Sequence, residues 1–199
     1  MKTYAFDATI QKVDGIDGAF VFVPYDLPRT FGAGRIKVHA RFDEHPYEGS
    51  IVSSKNDDGT KDYVIGLKKD IRAAIGKQPG DSVHVEFACA QIDGEASTYL
   101  DMLRAKAEKK GRNTEEFIQV VQWLTGYAPE KITNARNVSY ADWLDQAPTY
   151  NPAAQNIGGK VCGVAVAEVE DPTMHRMRVL DKLVDDLAKG KSVEKILGL

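Results

Sequence analysis

From residue 3 to about 90 the apolar positions of the chain recur with a period of two. Tyr4, Phe6, Ala8 and Ile10 alternate with Ala5, Asp7, Thr9 and Gln11, the pattern of a half-buried strand. Gly15 to Gly18 supply a turn, and Ala19 to Val23 read as the return strand of a hairpin. Pro24 and Pro28 bracket a loop. Ile36, Val38, Ala40 and Phe42 then face one way, and Arg35, Lys37, His39 and Arg41 the other. Asp43 to Pro46 turn the chain into a weaker strand near Tyr47 to Ser53, and Tyr63, Ile65 and Leu67 mark another. Lys69 to Ile75 form a short helical piece ended by Gly76. The last strand carries Val83, Val85, Phe87 and Cys89 on one face. Short strands at close spacing, joined by Gly- and Pro-bearing turns, predict a small β-barrel or sandwich.

Past the segment QIDGEAS, which starts at residue 91, the period becomes helical. Tyr99, Leu100, Leu103 and Ala107 share one side of a helix that Gly111 stops. Asn113 or Thr114 caps the next, with Glu115 and Glu116 in its first turn and Phe117, Val120, Val121 and Leu124 as its apolar stripe. Ser139 caps a short helix ended by Pro148. VCGVAVAEV, residues 161–169, is short and apolar and predicts a buried extended segment. Asp171 and Pro172 then open a long helix with Met177, Leu180, Val184 and Leu187 on its buried stripe. Arg178/Asp181 and Lys182/Asp186 pair on its wet face. The expected fold class is α+β, a small N-terminal β-barrel over residues 1–92 and a mainly helical domain over 98–199.

Composition changes this picture little. With 43% hydrophobic and 28% charged residues the chain resembles an ordinary globular protein with a real core. A net charge of -3 lowers the expectation of a nucleic-acid coat. Nothing approaches roughly 18 consecutive apolar residues, so no membrane partner is expected. The N-terminus lacks the apolar core of a signal peptide, and Cys89 and Cys162 form no CxxC pattern, which together favour free thiols and a cytoplasmic location.

Three groups of residues are candidates for a site. Cys162, followed by His175, has the elements of a thiol and its base, but three flanking valines and the lack of an orienting third group favour simple packing. Arg35, Lys37 and Arg41, with His39, line one strand face and are suited to phosphates. The simpler reading is a solvated face whose basic residues protect a sheet edge, and no aromatic interleaves for base stacking. Trp123, Tyr127, Trp143 and Tyr150 suit a pocket or a partner anchor, although helical spacing suits core packing better. Gly32-Ala33-Gly34 lacks the third glycine and the setting of a dinucleotide site, Gly158-Gly159-Lys160 lacks the spacing of a phosphate loop, and Ser192 to Lys195 is an isolated S-x-x-K. No metal-ligand spacing occurs among the histidines, so neither a metal nor another cofactor is expected.

FVFVPYDLPRTFG, GRIKVHARFD and LKKDIRAAIGKQPGDSVHVEF resemble the bacterial family known as domain of unknown function 1905, over roughly residues 3 to 92. That resemblance implies a double-split β-barrel of the AbrB-like architecture, whose members bind DNA as intertwined dimers. AEKKGRNTEEFIQVVQWLTGY, ADWLDQAPTYNP and GGKVCGVAVAEVEDPTMHRMRVLDKLVDDLAKGKSVEKIL are similar to domain of unknown function 2200, over about residues 98 to 197. Neither family brings a catalytic residue to carry over. Without a complete catalytic constellation, the sequence favours a non-enzymatic module for a small ligand or protein partner. The alternatives are a nucleic-acid-binding regulator using Arg35, Lys37 and Arg41, and a thiol enzyme using Cys162 and His175. An oligomer is compatible with each.

Overall fold

A computed structural model describes residues 2–56, 58–90 and 94–198, so residues 91–93 of the QIDGEAS boundary lie outside the described residues. The fold is α+β: a curled antiparallel sheet in the first half and a helical region in the second. The chain divides into two compact units, one of Met1–Leu27 with Ala33–Gln91, the other of Pro28–Gly32 with Ile92–Leu199.

The first unit contains β1 (Tyr4–Thr9), β2 (Gln11–Val13), β3 (Gly18–Phe22), β4 (Arg35–Phe42), β5 (His45–Lys55), β6 (Lys61–Gly66) and β7 (Ser82–Cys89), with helix α2 (Lys69–Ile75) before β7. The order across the sheet is β1-β7-β4-β5-β6-β3-β2. Its two ends, β1 and β2, are consecutive in the chain and meet at Ile10, which is 1% exposed. The Ile10 N–H donates to the Asp81 carbonyl and its carbonyl accepts from the Gly80 N–H, both at 2.9 Å. One bent stretch of chain thus forms both ends of the sheet, which curls back on itself as a half-barrel.

Alternation fixes which side faces in. Ile36, Val38, Ala40 and Phe42 are buried while Arg35, Lys37, His39 and Arg41 are exposed, as the period of two predicts. The edge-protecting reading of these basic residues fails, because β4 pairs with β5 on one side and β7 on the other. The strand after it starts earlier and runs longer than its pattern suggested, from His45 to Lys55. Asp43 (φ 43°) and Glu44 (φ 69°) make a two-residue turn, closed by the pair Phe42 and His45. Pro46 follows in the next, non-hydrogen-bonded pair with Arg41, and β6 pairs with β5 only from Ile51, so its missing N–H leaves no ladder bond unmade.

The loop expected between Pro24 and Pro28 instead leads into a helical turn, α1 (Leu27–Phe31), most of which belongs to the second unit. There Glu170 N–H donates to the Arg29 carbonyl (2.7 Å) and the Arg29 guanidinium pairs with the Glu170 carboxylate (2.5 Å). Sequence periodicity is blind to such a five-residue piece.

The second unit comprises α3 (Ala96–Glu108), α4 (Thr114–Thr125), α5 (Pro129–Thr133), α6 (Tyr140–Asp145), α7 (Pro172–Ala188) and α8 (Val193–Leu197). Asn113 caps α4 in a full capping box with Glu116, and Gly126 ends it in the left-handed conformation. Asp171 caps α7 by accepting from Met174 N–H, with Pro172 at the first helical position. α7 packs against α3, α4, α6 and α8. It is therefore buried nearly all round, and the expected wet face does not exist: Arg178 is 5% exposed, Asp181 6% and Lys182 9%. Burial of charge requires pairing, and Arg178 pairs with Asp181 (2.7 Å) and Lys182 with Asp186 (2.5 Å).

The segment expected as a buried extended strand is also different. β8 (Lys160–Val161) and β9 (Val164–Ala165) form a minimal hairpin, and a 3-10 turn, Val166–Glu168, follows. Val161, Val164, Val166 and Val169 are buried, but Cys162 and Gly163 form the turn at φ 50° and 83°, and Cys162 is exposed. Apolar neighbours bury themselves here while the tight turn throws the cysteine outward.

Candidate functional site

The outer face of the first unit holds a trough of about 380 Å³ where β7, β4 and β5 run side by side. Register defines it. One cross-strand row joins Ala88, His39 and Glu48, with Thr3 beside it; another joins Glu86, Arg41 and Pro46. Between them the row Phe87, Ala40 and Tyr47, whose side chains turn to the inner face, contributes its backbone as the floor. Short Ala88 and Pro46 at opposite corners leave the space that the longer side chains border.

Both signs of charge stand on the rim. His39 Nδ1 lies 3.5 Å from a Glu48 carboxylate oxygen, and the Arg41 guanidinium lies 3.1 Å from Glu44. Arg41 is directly opposite Glu86 on β7, close enough for cross-strand attraction. His84, two residues before Glu86 on β7, sits 2.7 Å from Asp7 and 3.8 Å from Glu86. The Asp7 hydrogen bond, helped by the charges of Asp7 and Glu86, raises the His84 pKa against the opposing effect of burial. Beneath, burial pushes the Tyr47 phenol up. The floor's backbone belongs to a strand paired on both sides, so recognition falls to side chains. Among the described residues no cluster of three or more His, Cys, Asp or Glu is placed to hold a metal, and no helix is long and apolar enough to cross a membrane.

Of the sequence candidates, Arg41 lines the trough, while Arg35 and Lys37 stand on the same strand face beyond it. Glu48 and Glu86, on the neighbouring strands, carry no signal of their own in the sequence. Only the pairing register brings them to Arg41.

The aromatic candidates lie in the second unit. Trp143 is buried, with Tyr127 stacked on it at 4.6 Å and donating a hydrogen bond to its carbonyl (2.9 Å). Burial pushes the Tyr127 phenol up. Trp123 is half-buried, its carbonyl accepting from Asn151 Nδ2 at 3.2 Å. Tyr140 is fully buried, stacked on Tyr99 at 4.3 Å, and Tyr99 O–H donates to Asp181 at 3.2 Å. These contacts build a stacked wall around the buried Arg178–Asp181 pair. Burial works against the Arg178 charge, but Asp181, then Tyr99 and Cys162, outweigh it and hold the guanidinium above its ordinary range.

Cys162 is thus exposed at a hairpin tip and within electrostatic reach of Arg178. His175 is half-buried in the first turn of α7, and burial lowers its pKa. Among the described residues no hydrogen bond joins the two.

The comparisons with known proteins extend this picture to relatives without adding a chemistry. No curated protein matches the chain. A solved structure, titled as the crystal structure of an uncharacterized protein, SP1917, is 42% identical, with a TM-score of 0.52, and the match covers 54% of this chain and 90% of that one. The family model of a domain of unknown function, DUF1905, matches residues 6–87. The model described as an uncharacterized protein conserved in bacteria, DUF2200, matches residues 94–198, more than half of the sequence. The chain, with its stacked wall around α7 and its curled sheet ahead of it, belongs to the bacterial family DUF2200 and carries a DUF1905 domain in its first half.

Proposed function

We propose that the protein is a non-enzymatic binding module that takes a small polar ligand in the trough of the first unit. The observation behind this reading is the rim itself: Arg41 and His39 along β4, with Glu86 and Glu48 on either side, around space that the short corner residues Ala88 and Pro46 leave open. Concave sites with a few convergent polar groups are the usual place for a small molecule. The nucleic-acid reading of Arg35, Lys37 and Arg41 draws less support, because acidic residues interrupt the basic stripe from both neighbouring strands. A thiol-dependent reaction at Cys162 and His175 is the second reading. It is favoured by one observation, the exposed position of Cys162 near Arg178.

Nitrogen-15 amide spectra recorded across a panel of metabolite classes test the first reading. Saturable shifts clustered on β4, β5 and β7, weakened by Arg41→Gln and unaffected by Arg35→Gln, are expected. A panel that leaves those amides unmoved, or that moves only amides elsewhere, refutes it.

A further inference from the structure

We propose that this trough selects a zwitterionic amino acid with an apolar side chain, a deepening that rests on the reading of the trough as the ligand site. The argument is the order of charges across the strands. The bases stand on the middle strand, and each has an acid directly opposite on a different flank: Glu86 on β7 for Arg41, Glu48 on β5 for His39. Adjacent strands lie about 4.8 Å apart, so each of the two rows sets one base beside one acid at that spacing, on opposite flanks of β4.

A simple anion set over Arg41 would meet the Glu86 carboxylate directly opposite on β7 and that of Glu44, 3.1 Å from the guanidinium. A simple cation beside Glu86 would face the guanidinium. Either ligand gains one attraction and meets repulsion as well. A molecule whose carboxylate and ammonium are one carbon apart gains both attractions, Arg41 holding the first and Glu86 the second. Backbone groups do not change this preference, because the β4 floor is paired on both sides and offers no nest of free N–H donors for an isolated anion. The remaining surface, Ala88 and Pro46 at the corners, is apolar and suits an aliphatic side chain. Arg41 and Glu86 are 58% and 39% exposed, so each contact is screened and the affinity is modest.

Three matched probes separate the possibilities: leucine, N-acetylleucine, which lacks the ammonium, and leucinamide, which lacks the carboxylate. Titrated against the nitrogen-15-labelled protein, leucine is expected to bind at the β4, β5 and β7 amides at least about tenfold more tightly than either blocked form. Arg41→Gln and Glu86→Gln, both at solvent-facing positions, each remove that preference, while Arg35→Gln keeps it. If a blocked form binds the trough as well as leucine does, or if only another metabolite class binds there, the zwitterion assignment falls and the ligand site stands. If neither these probes nor any metabolite class moves those amides, both fall.

Discussion

Gly32 lies against the side chain of Arg178: a Cβ built on it would stand 2.7 Å from Cγ and 2.9 Å from Nε of the arginine. One helical turn further along α7, Gly159 bears the same relation to Lys182, with a Cβ 2.8 Å from its Cε. Both glycines have positive φ, 65° and 95°. Two charged side chains can lie buried on this helix because two turns, from distant parts of the sequence, cover them without side chains of their own. The guanidinium beneath Gly32 is held by Asp181 and by the Phe31 carbonyl. Burial pushes the Asp181 carboxyl up, and Arg178 and Tyr99 oppose that rise. Such a pair adds little net stability, but losing either partner would strand a buried charge.

Gly32→Ala is accordingly expected to destabilise the second unit by about 1–3 kcal/mol, from backbone strain and from displacement of a fixed arginine. Gly159→Ala should cost about 1–2 kcal/mol, chiefly through φ, since the end of Lys182 can shift. Gly158→Ala provides the internal reference. Its Cβ would meet nothing within 4 Å, so a change within about 0.5 kcal/mol is expected. Both tryptophans lie in the second unit, so urea unfolding followed by their fluorescence reports it directly. Equal effects at residues 158 and 159 would contradict the account.

Asp17 gives the first unit a defined acid sensitivity. Its carboxylate accepts from the buried Arg72 guanidinium (2.7 Å) and pairs with Lys69 (2.9 Å). The Arg72 hydrogen bond, followed by Lys69, lowers its pKa from 3.8 to about 2. Because the folded value lies below the unfolded one, the carboxylate's contribution is complete above the ordinary value and is lost as pH falls from about 4 to about 2. Asp17→Asn should therefore be less stable than the parent at pH 7, and the gap should close steadily across that acid window. Unfolding followed at amides of β3 and β6 measures it. A gap that is constant with pH would remove the carboxylate from the explanation.

The sequence carried the barrel strands and the helix termini because those rest on local rules. Alternation placed Ile36 to Phe42 inward, and Asn113, Ser139, Asp171 and Ser192 all cap the helices they precede. What it could not carry was anything set by a distant partner. The Arg178/Asp181 spacing fits an exposed ion pair equally well, and only the packing of α3, α6 and Gly32 around α7 makes it a buried one. The trough was half legible for the same reason. Arg41 and His39 share a strand, but Glu48 and Glu86 join them only through register across three strands.

Cys162 is the sharpest case of local composition misleading, and it yields a direct prediction. Its valine neighbours are buried while the cysteine is exposed, because a two-residue turn with both φ values positive leaves no inward direction for its side chain. Cys89, by contrast, is 0% exposed on β7. A thiol reagent should titrate one cysteine in the folded protein and the second only after denaturation, and Cys162→Ser should abolish the first reaction. Labelling of both thiols, or of neither, before unfolding would overturn this. The turn supplies an independent check on the same geometry. Cys162→Asn creates the Asn-Gly pair that such a turn favours, and asparagine tolerates positive φ better than cysteine does. A gain of about 0.5–1 kcal/mol is expected, and a loss on that substitution would mean that the cysteine is held by interactions that the turn alone does not explain.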